Sequence, residues 1–106
     1  MLRPLALAAG VVSVLGTAAL AVEGGDPDRG YAYAQQNCAD CHAIDRGDYE
    51  SPWFGAPPFS EVANVPAMSE LALFSFFQTP HPTMPNIIVP PDDIRDLIAY
   101  IRSLRN

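Results

Sequence analysis

The two cysteines of the chain lie three residues apart, and a histidine directly follows the second one, in the segment Cys38-Ala39-Asp40-Cys41-His42. This spacing is typical of covalent c-type haem attachment, in which each thiol adds across one vinyl group of the macrocycle to form a thioether. The histidine then lies under the iron as its proximal ligand. Because Cys38 and Cys41 are the only cysteines, none remains for a disulfide elsewhere. The segment therefore predicts one covalently bound haem c.

Two other uses of this segment stay open. A pair of thiols at this spacing also occurs in redox-active dithiols and as half of many zinc sites. A thioredoxin-like dithiol lies beside a strand–helix–strand pattern, and the sequence predicts no such strand pair. A zinc site would combine Cys38, Cys41, His42 and His81, but the adjacent Cys41 and His42 are awkward for closing one tetrahedron. Haem attachment is the favoured interpretation.

Met84 is the candidate for the second axial ligand of the iron. It lies in His81-Pro82-Thr83-Met84-Pro85, where prolines on both sides stiffen the loop. A thioether is a weak ligand, so a loop that is already ordered holds it at little entropic cost. Met68 is the competitor, but it falls inside a predicted apolar helix, where core packing is its natural role. Ligation by His81 and an open site are the remaining alternatives.

Residues 1–21 have the pattern of a secretory signal peptide. Arg3 provides the positive charge, residues 5–22 contain no charged side chain, and Ala19-Leu20-Ala21 is a small-residue cleavage box. We expect removal of residues 1–21 to leave a mono-haem domain of residues 22–106 in the periplasm, where haem is attached to reduced cysteines. The alternative is an uncleaved anchor in the inner membrane, because the apolar run reaches the lower limit for spanning a bilayer.

The composition limits the partners and the stability of this domain. The chain has 12 acidic and 6 basic residues and a net charge of −6, and every basic residue is an arginine. Nucleic acid is therefore not an expected partner. A domain of roughly 70–80 residues gains only about 3–5 kcal/mol from its own core and usually needs a covalent or metal staple. Covalent haem would be that staple.

Three helices are predicted in the mature chain. Asp26 can cap a first helix that has Pro27 at its first position and runs to about Asn37. A middle helix is predicted over residues 66–78, and a last helix starts at Pro90-Pro91-Asp92-Asp93. The apolar residues of this last helix follow helical spacing: Ile94, Leu97, Ile98, Ile101 and Leu104. Prolines throughout the remaining segments leave no room for a central strand, so the fold class is all-α.

In the order of these features the chain resembles class I cytochrome c, and Ala56-Pro57-Pro58-Phe59 with the His-Pro-Thr-Met-Pro loop is similar to short periplasmic cytochromes of proteobacteria. The resemblance implies three to four helices wrapped around one covalent haem, with the first and last helices crossing where Gly30 meets Tyr100. It also implies that the Pro57 carbonyl, or that of Pro58, accepts a hydrogen bond from the Nδ1–H group of His42. Phe59 would pack on the haem.

The function expected from these features is one-electron transfer rather than catalysis, because no general base is paired with a nucleophile. The expected partner is a redox protein, such as a dehydrogenase, an oxidase or another cytochrome, and the chain is expected to be a monomer or a subunit of a redox complex. A haem-based sensor or a peroxidase-like protein with a displaceable Met84 is the alternative. Tyr49, Trp53 and Arg46 are candidates either for contacts to the haem propionates or for the pocket wall.

Overall fold

The computed structural model describes Gly10, residues 24–79, Met84 and residues 88–106. Within these residues the backbone forms four α-helices and no strand: α1 (Pro27–Asn37), α2 (Phe59–Ala63), α3 (Glu70–Phe77) and α4 (Pro91–Ser103). The predicted all-α class is confirmed. The predicted leader, apart from Gly10, lies outside the described residues. None of the helices in the described part of the chain is long and apolar enough to cross a membrane.

Helix α1 has the predicted bounds because its first turn is capped as the sequence indicates. The Asp26 side chain accepts hydrogen bonds from the backbone N–H groups of Asp28 and Arg29, and Pro27 occupies the first turn. The helix ends at Asn37, and the N–H of Cys38 still donates to the carbonyl of Ala34. The last turn of α1 therefore leads directly into the cysteine segment.

Helix α4 supplies most of the core, and α1 crosses it closely. All five of its periodic apolar residues are buried, as the spacing predicted: Ile94, Leu97, Ile98, Ile101 and the C-cap Leu104. At the crossing, a Cβ on Gly30 would lie 2.0 Å from the Asp96 carbonyl oxygen and 2.8 Å from the Cβ of Tyr100. The predicted contact between Gly30 and Tyr100 is confirmed. Tyr31 adds an aromatic contact, with its ring centroid 5.1 Å from that of Tyr100.

A buried carboxylate fixes the start of α1 against α4. Asp96 is 7% exposed and accepts hydrogen bonds from the Asp26 N–H at 2.8 Å and from Arg29 Nε at 3.0 Å. The hydrogen bond from Arg29 lowers the pKa of Asp96, and the one from the Asp26 N–H acts in the same direction against the effect of burial. The carboxylate is therefore the form that holds the two helices together.

The predicted start of the middle helix at Pro66 is wrong, because α3 begins only at Glu70. Ser69 is its N-cap, and its side chain accepts a hydrogen bond from the N–H of Ala72 at 3.0 Å. Ala67 has a φ of 65°, which a right-handed helix cannot accommodate. Met68 consequently lies before α3 rather than inside it, although it does pack against the core as predicted.

Helix α2 was not predicted, because its five residues are too few to show a helical period. It begins after Pro58, and Phe59, Ser60 and Ala63 are buried. Ser60 Oγ accepts a hydrogen bond from the N–H of Gly47 at 2.9 Å. The helix thus connects the loop that follows the cysteine segment to the core.

Candidate functional site

The cysteine segment opens on a cavity of about 710 Å³. Cys38, Cys41, His42 and Met84 all line it. The remaining wall is mainly apolar and comes from several elements, including Val62, Met68, Leu73, Phe76, Phe77 and Ile101. The cavity therefore brings together residues that are far apart in the sequence, such as Cys38 and Met84, which are 46 positions apart.

Local hydrogen bonding turns the cysteine segment so that both thiols and the imidazole face the same cavity. The N–H groups of Cys41 and His42 donate to the carbonyl of Cys38 at 3.1 and 2.9 Å. This turn continues directly from α1, so the helix sets the position of Cys38 and the turn sets that of Cys41. Both cysteines are half-buried, and they do not form a disulfide with each other.

The Cys38 thiol is not in an activating environment. Burial raises its pKa to about 11, and the nearby Cys41 acts in the same direction. At neutral pH Cys38 is therefore a neutral thiol, whereas dithiol oxidoreductases depend on a cysteine whose pKa is lowered.

The orientation of His42 is fixed by a backbone carbonyl. His42 Nδ1 lies 2.7 Å from the carbonyl oxygen of Pro57. Because a carbonyl oxygen can only accept, Nδ1 must carry the proton, and Nε2 keeps its lone pair. This is the tautomer in which imidazole binds a metal through Nε2, and the hydrogen bond orients the ring for that role. Of the two prolines considered, Pro57 and not Pro58 makes the contact.

Phe59 supports His42 and is not part of the cavity wall. Its ring centroid lies 5.2 Å from that of His42, and its N–H donates to the carbonyl of Ala43 at 2.8 Å. Phe59 is 5% exposed and is not among the residues that line the cavity. Phe59 therefore packs against the imidazole of His42, and its packing on the haem stays a prediction.

Both candidate methionines reach the cavity. Met84 is half-buried there, and Met68 lines the same cavity from the segment before α3. The loop around Met84, including the alternative ligand His81 and the flanking prolines Pro82 and Pro85, lies outside the described residues. The structure therefore brings Met84 to the expected site, together with a second thioether that the sequence had assigned to a helix.

The structure places the three residues that were suggested for contacts to the haem propionates or for the cavity wall in different surroundings. Trp53 lines the cavity, and its N–H donates to the carbonyl of Cys41 at 3.2 Å. The Arg46 guanidinium donates to the carbonyl of Ser103, at the end of α4. Tyr49 is 55% exposed and, like Arg46, does not line the cavity. Of the three, only Trp53 contributes to the wall.

The residues around the cavity fit a c-type haem. Its volume of about 710 Å³ is within the range of about 300–1,000 Å³ found for ligand and cofactor sites. Two thiols, an imidazole with a free Nε2 lone pair and a thioether open into apolar walls, which is the donor set and surrounding that covalent haem requires. In the described part of the chain, no three His, Cys, Asp or Glu side chains form a cluster that could hold a metal ion.

Sequence reasoning missed most of the cavity wall. Helix α3 was predicted only as an apolar helix, and Leu73 is its one buried residue. Leu73 contributes both to the core and to the cavity, and Phe76 and Phe77 also line the cavity. An apolar helix indicates that some of its residues face other parts of the protein or a ligand, although it does not say which residues face which neighbour.

Comparison with known families agrees with this geometry. The family model for cytochrome c matches residues 27–105, from the first residue of α1 to the segment that follows α4. Comparisons with curated proteins and with solved structures found no significant match. With a family match over most of its length and a cavity that fits covalent haem c, the chain belongs to the cytochrome c family of haem-based electron carriers.

Proposed function

We propose that this protein is a one-electron carrier with a single haem c, held by thioethers to Cys38 and Cys41 and ligated axially by His42 and Met84. One observation carries the proposal: the four side chains line one mainly apolar cavity. Covalent attachment through two cysteines keeps the cofactor in place in both redox states. The arrangement favours a carrier over an enzyme, because His42 and Met84 would both hold the iron and leave no position for a substrate.

When bound, the haem supplies an iron that changes between the ferric and ferrous states. His42 is held by the Pro57 carbonyl at 2.7 Å, so its ring does not need to reorient when the charge changes. Met84 provides a thioether, and methionine ligation raises the reduction potential. The apolar walls exclude water and disfavour the extra positive charge of the oxidised state, which acts in the same direction.

The cellular setting is a proposal from the sequence. The leader pattern of residues 1–21 supports export to the periplasm, and the acidic composition supports a redox protein rather than nucleic acid as the partner. The chain would act as a free carrier or as a subunit of a redox complex. Retention of the leader would attach it to the inner membrane instead.

The absorption spectrum of the exported protein, oxidised and reduced, tests this proposal. The protein should be produced in a host with haem-attachment machinery, and a denatured portion should keep its haem, since haem joined by thioethers stays with the chain. The far-red band is measured on the native portion. The oxidised form should show the weak far-red band of methionine sulfur bound to ferric iron. Met84→Ala should lose this band, and Met68→Ala is the matched control, because Met68 lines the same cavity and should leave the band in place.

The other possible spectra identify a different iron ligand or reject the proposal. A band that survives in Met84→Ala and disappears in Met68→Ala would assign the ligand to Met68. A haem spectrum without the band in the wild type would reject methionine ligation and favour His81 or an open, ligand-binding iron. Complete export without covalent haem would reject the electron-carrier proposal.

A further inference from the structure

Three aromatic side chains are exposed on the segment that follows the cysteine segment. Tyr49 is 55% exposed, Trp53 is 40% exposed and Phe54 is 97% exposed. We call residues 49–54 the aromatic loop. Aromatic residues are enriched at protein interfaces, and exposed apolar side chains that lie together mark interaction sites more often than single ones do. Phe54 contributes little to the core at this exposure, so its place in the fold does not explain it.

The aromatic loop is held firmly at the cavity. The N–H of Trp53 donates to the carbonyl of Cys41 at 3.2 Å, and Ser51 Oγ accepts from the N–H of Ala43 at 3.0 Å. Gly55 lies under the indole, where an added Cβ would come within 2.6 Å of the Trp53 ring. Phe54 lies beside that indole, with ring centroids 6.3 Å apart. The loop is therefore tied to the cysteine segment, and Phe54 lies next to a residue of the cavity wall.

The surroundings of the aromatic loop are acidic. Residues 40–50 contain four carboxylates and a single guanidinium, with the carboxylates at Asp40, Asp45, Asp48 and Glu50. All four residues are exposed, and Asp40 itself lines the cavity. The one cation, Arg46, donates to the carbonyl of Ser103. A partner that approaches this side of the cavity therefore meets an apolar centre with negative charge beside it.

We propose that the aromatic loop, with the carboxylates of residues 40–50, is the docking surface for a redox protein whose contact face carries lysine or arginine around an apolar centre. This inference rests on the proposed electron-carrier function and specifies its partner. Phe54 is the anchor that is buried on docking, and Trp53 brings the contact to the cavity wall. The carboxylates select a basic partner and accelerate its approach, whereas an acidic partner is repelled.

The test uses the holoprotein and a lysine-rich cytochrome of the mitochondrial type whose iron is replaced by zinc. After a light flash, one electron leaves the excited zinc porphyrin and reduces the ferric haem, so the decay of the excited state gives the rate constant. We expect this rate constant to fall as ionic strength rises. Phe54→Ser should lower it by about fivefold or more at low salt, as expected for loss of an interface anchor. Leu71→Ser is the matched control, because Leu71 is 73% exposed on α3.

The charge prediction has its own pair of variants. Asp48→Asn with Glu50→Gln should flatten the dependence on ionic strength. Asp28→Asn with Asp92→Asn removes the same charge from the first turns of α1 and α4 and should flatten it less. Asp28 is the better remote site, since α1 ends at the cavity and its first turn lies at the other end of the helix.

A small reagent separates this inference from the proposed function. Hexaammineruthenium(II) reduces an exposed haem without a docking surface, so its rate constant should be the same for Phe54→Ser and the wild type. Absence of covalent haem, or of reduction by this reagent, would reject the electron-carrier function. With that function intact, the docking surface would be overturned by an unchanged rate for Phe54→Ser with the zinc protein, by an equal loss in Leu71→Ser, or by a wild-type rate that rises with salt.

Discussion

Replacing Gly30 by alanine should separate the two helices whose crossing organises the fold. The new Cβ would lie 2.0 Å from the Asp96 carbonyl oxygen and 2.5 Å from its carbon. Both atoms belong to the backbone of α4, so no side-chain rotation can relieve the contact. The helices must move apart by about 1 Å at this point before the distance to the oxygen reaches 3.0 Å.

Two opposing effects decide the magnitude. Alanine is favoured over glycine in a helix interior by about 1 kcal/mol, which would stabilise α1. Overpacking of a closely packed contact costs about 1–3 kcal/mol, and a clash with backbone belongs at the upper end of this range. A gap of about 0.5–1 Å also removes a quarter to a half of the dispersion attraction between facing atoms. Ala34, Leu97 and Ile101, all at most 2% exposed, would lose contacts in this way. The expected net loss is about 2 kcal/mol.

Urea denaturation of the holoprotein measures this loss. Far-ultraviolet circular dichroism and haem absorption should give coincident transitions, and linear extrapolation gives the free energy of unfolding in water. Ala32→Gly is the control, because Ala32 is exposed on α1 and reports the helix propensity alone. It should destabilise the protein by about 1 kcal/mol. A Gly30→Ala variant as stable as the wild type, or more stable, would refute the reasoning from the close crossing.

Two further predictions concern the polar contacts of α4. Asp96→Asn should lower the melting temperature by a few degrees at pH 7. Because the hydrogen bond from Arg29 lowers the pKa of Asp96, its stabilisation is present above the unfolded value near pH 4 and is lost as pH falls through the folded value. The melting temperatures of the two proteins should therefore converge in acid, and a constant difference down to pH 2 would contradict this. Tyr100→Phe removes a hydrogen bond of 2.5 Å to the Ile44 carbonyl and should cost about 1–3 kcal/mol in urea denaturation. Burial raises the pKa of Tyr100 from 10.0 to about 12, so the wild type should lose this advantage as pH rises through that range. If the free energy of unfolding of Tyr100→Phe falls as much as that of the wild type over this pH range, the alkaline loss cannot be assigned to Tyr100.

The sequence determined the features that depend on near neighbours. The cysteine segment predicts covalent haem from five consecutive residues, and Asp26 with Pro27 predicts the start of α1 because a cap acts within one turn. The buried face of α4 could also be predicted, because the helical period of its apolar residues relates near neighbours in the sequence. The start of α3 shows the limit of such rules: proline at position 66 and serine at position 69 both favour a helix start, and the positive φ of Ala67 decides for Ser69.

Only the tertiary structure decided which distant residues share the cavity. Nothing in the sequence indicates that Met68 lines the same cavity as Met84, or that the carbonyl facing His42 belongs to Pro57 rather than to its neighbour. Nor does the sequence show that the Phe59 ring packs against the imidazole of His42. These contacts depend on how α2, α3 and the loops pack against the pair of α1 and α4. Local propensity acts over a few residues, whereas the position of a side chain in a cavity is the sum of every packing contact around it.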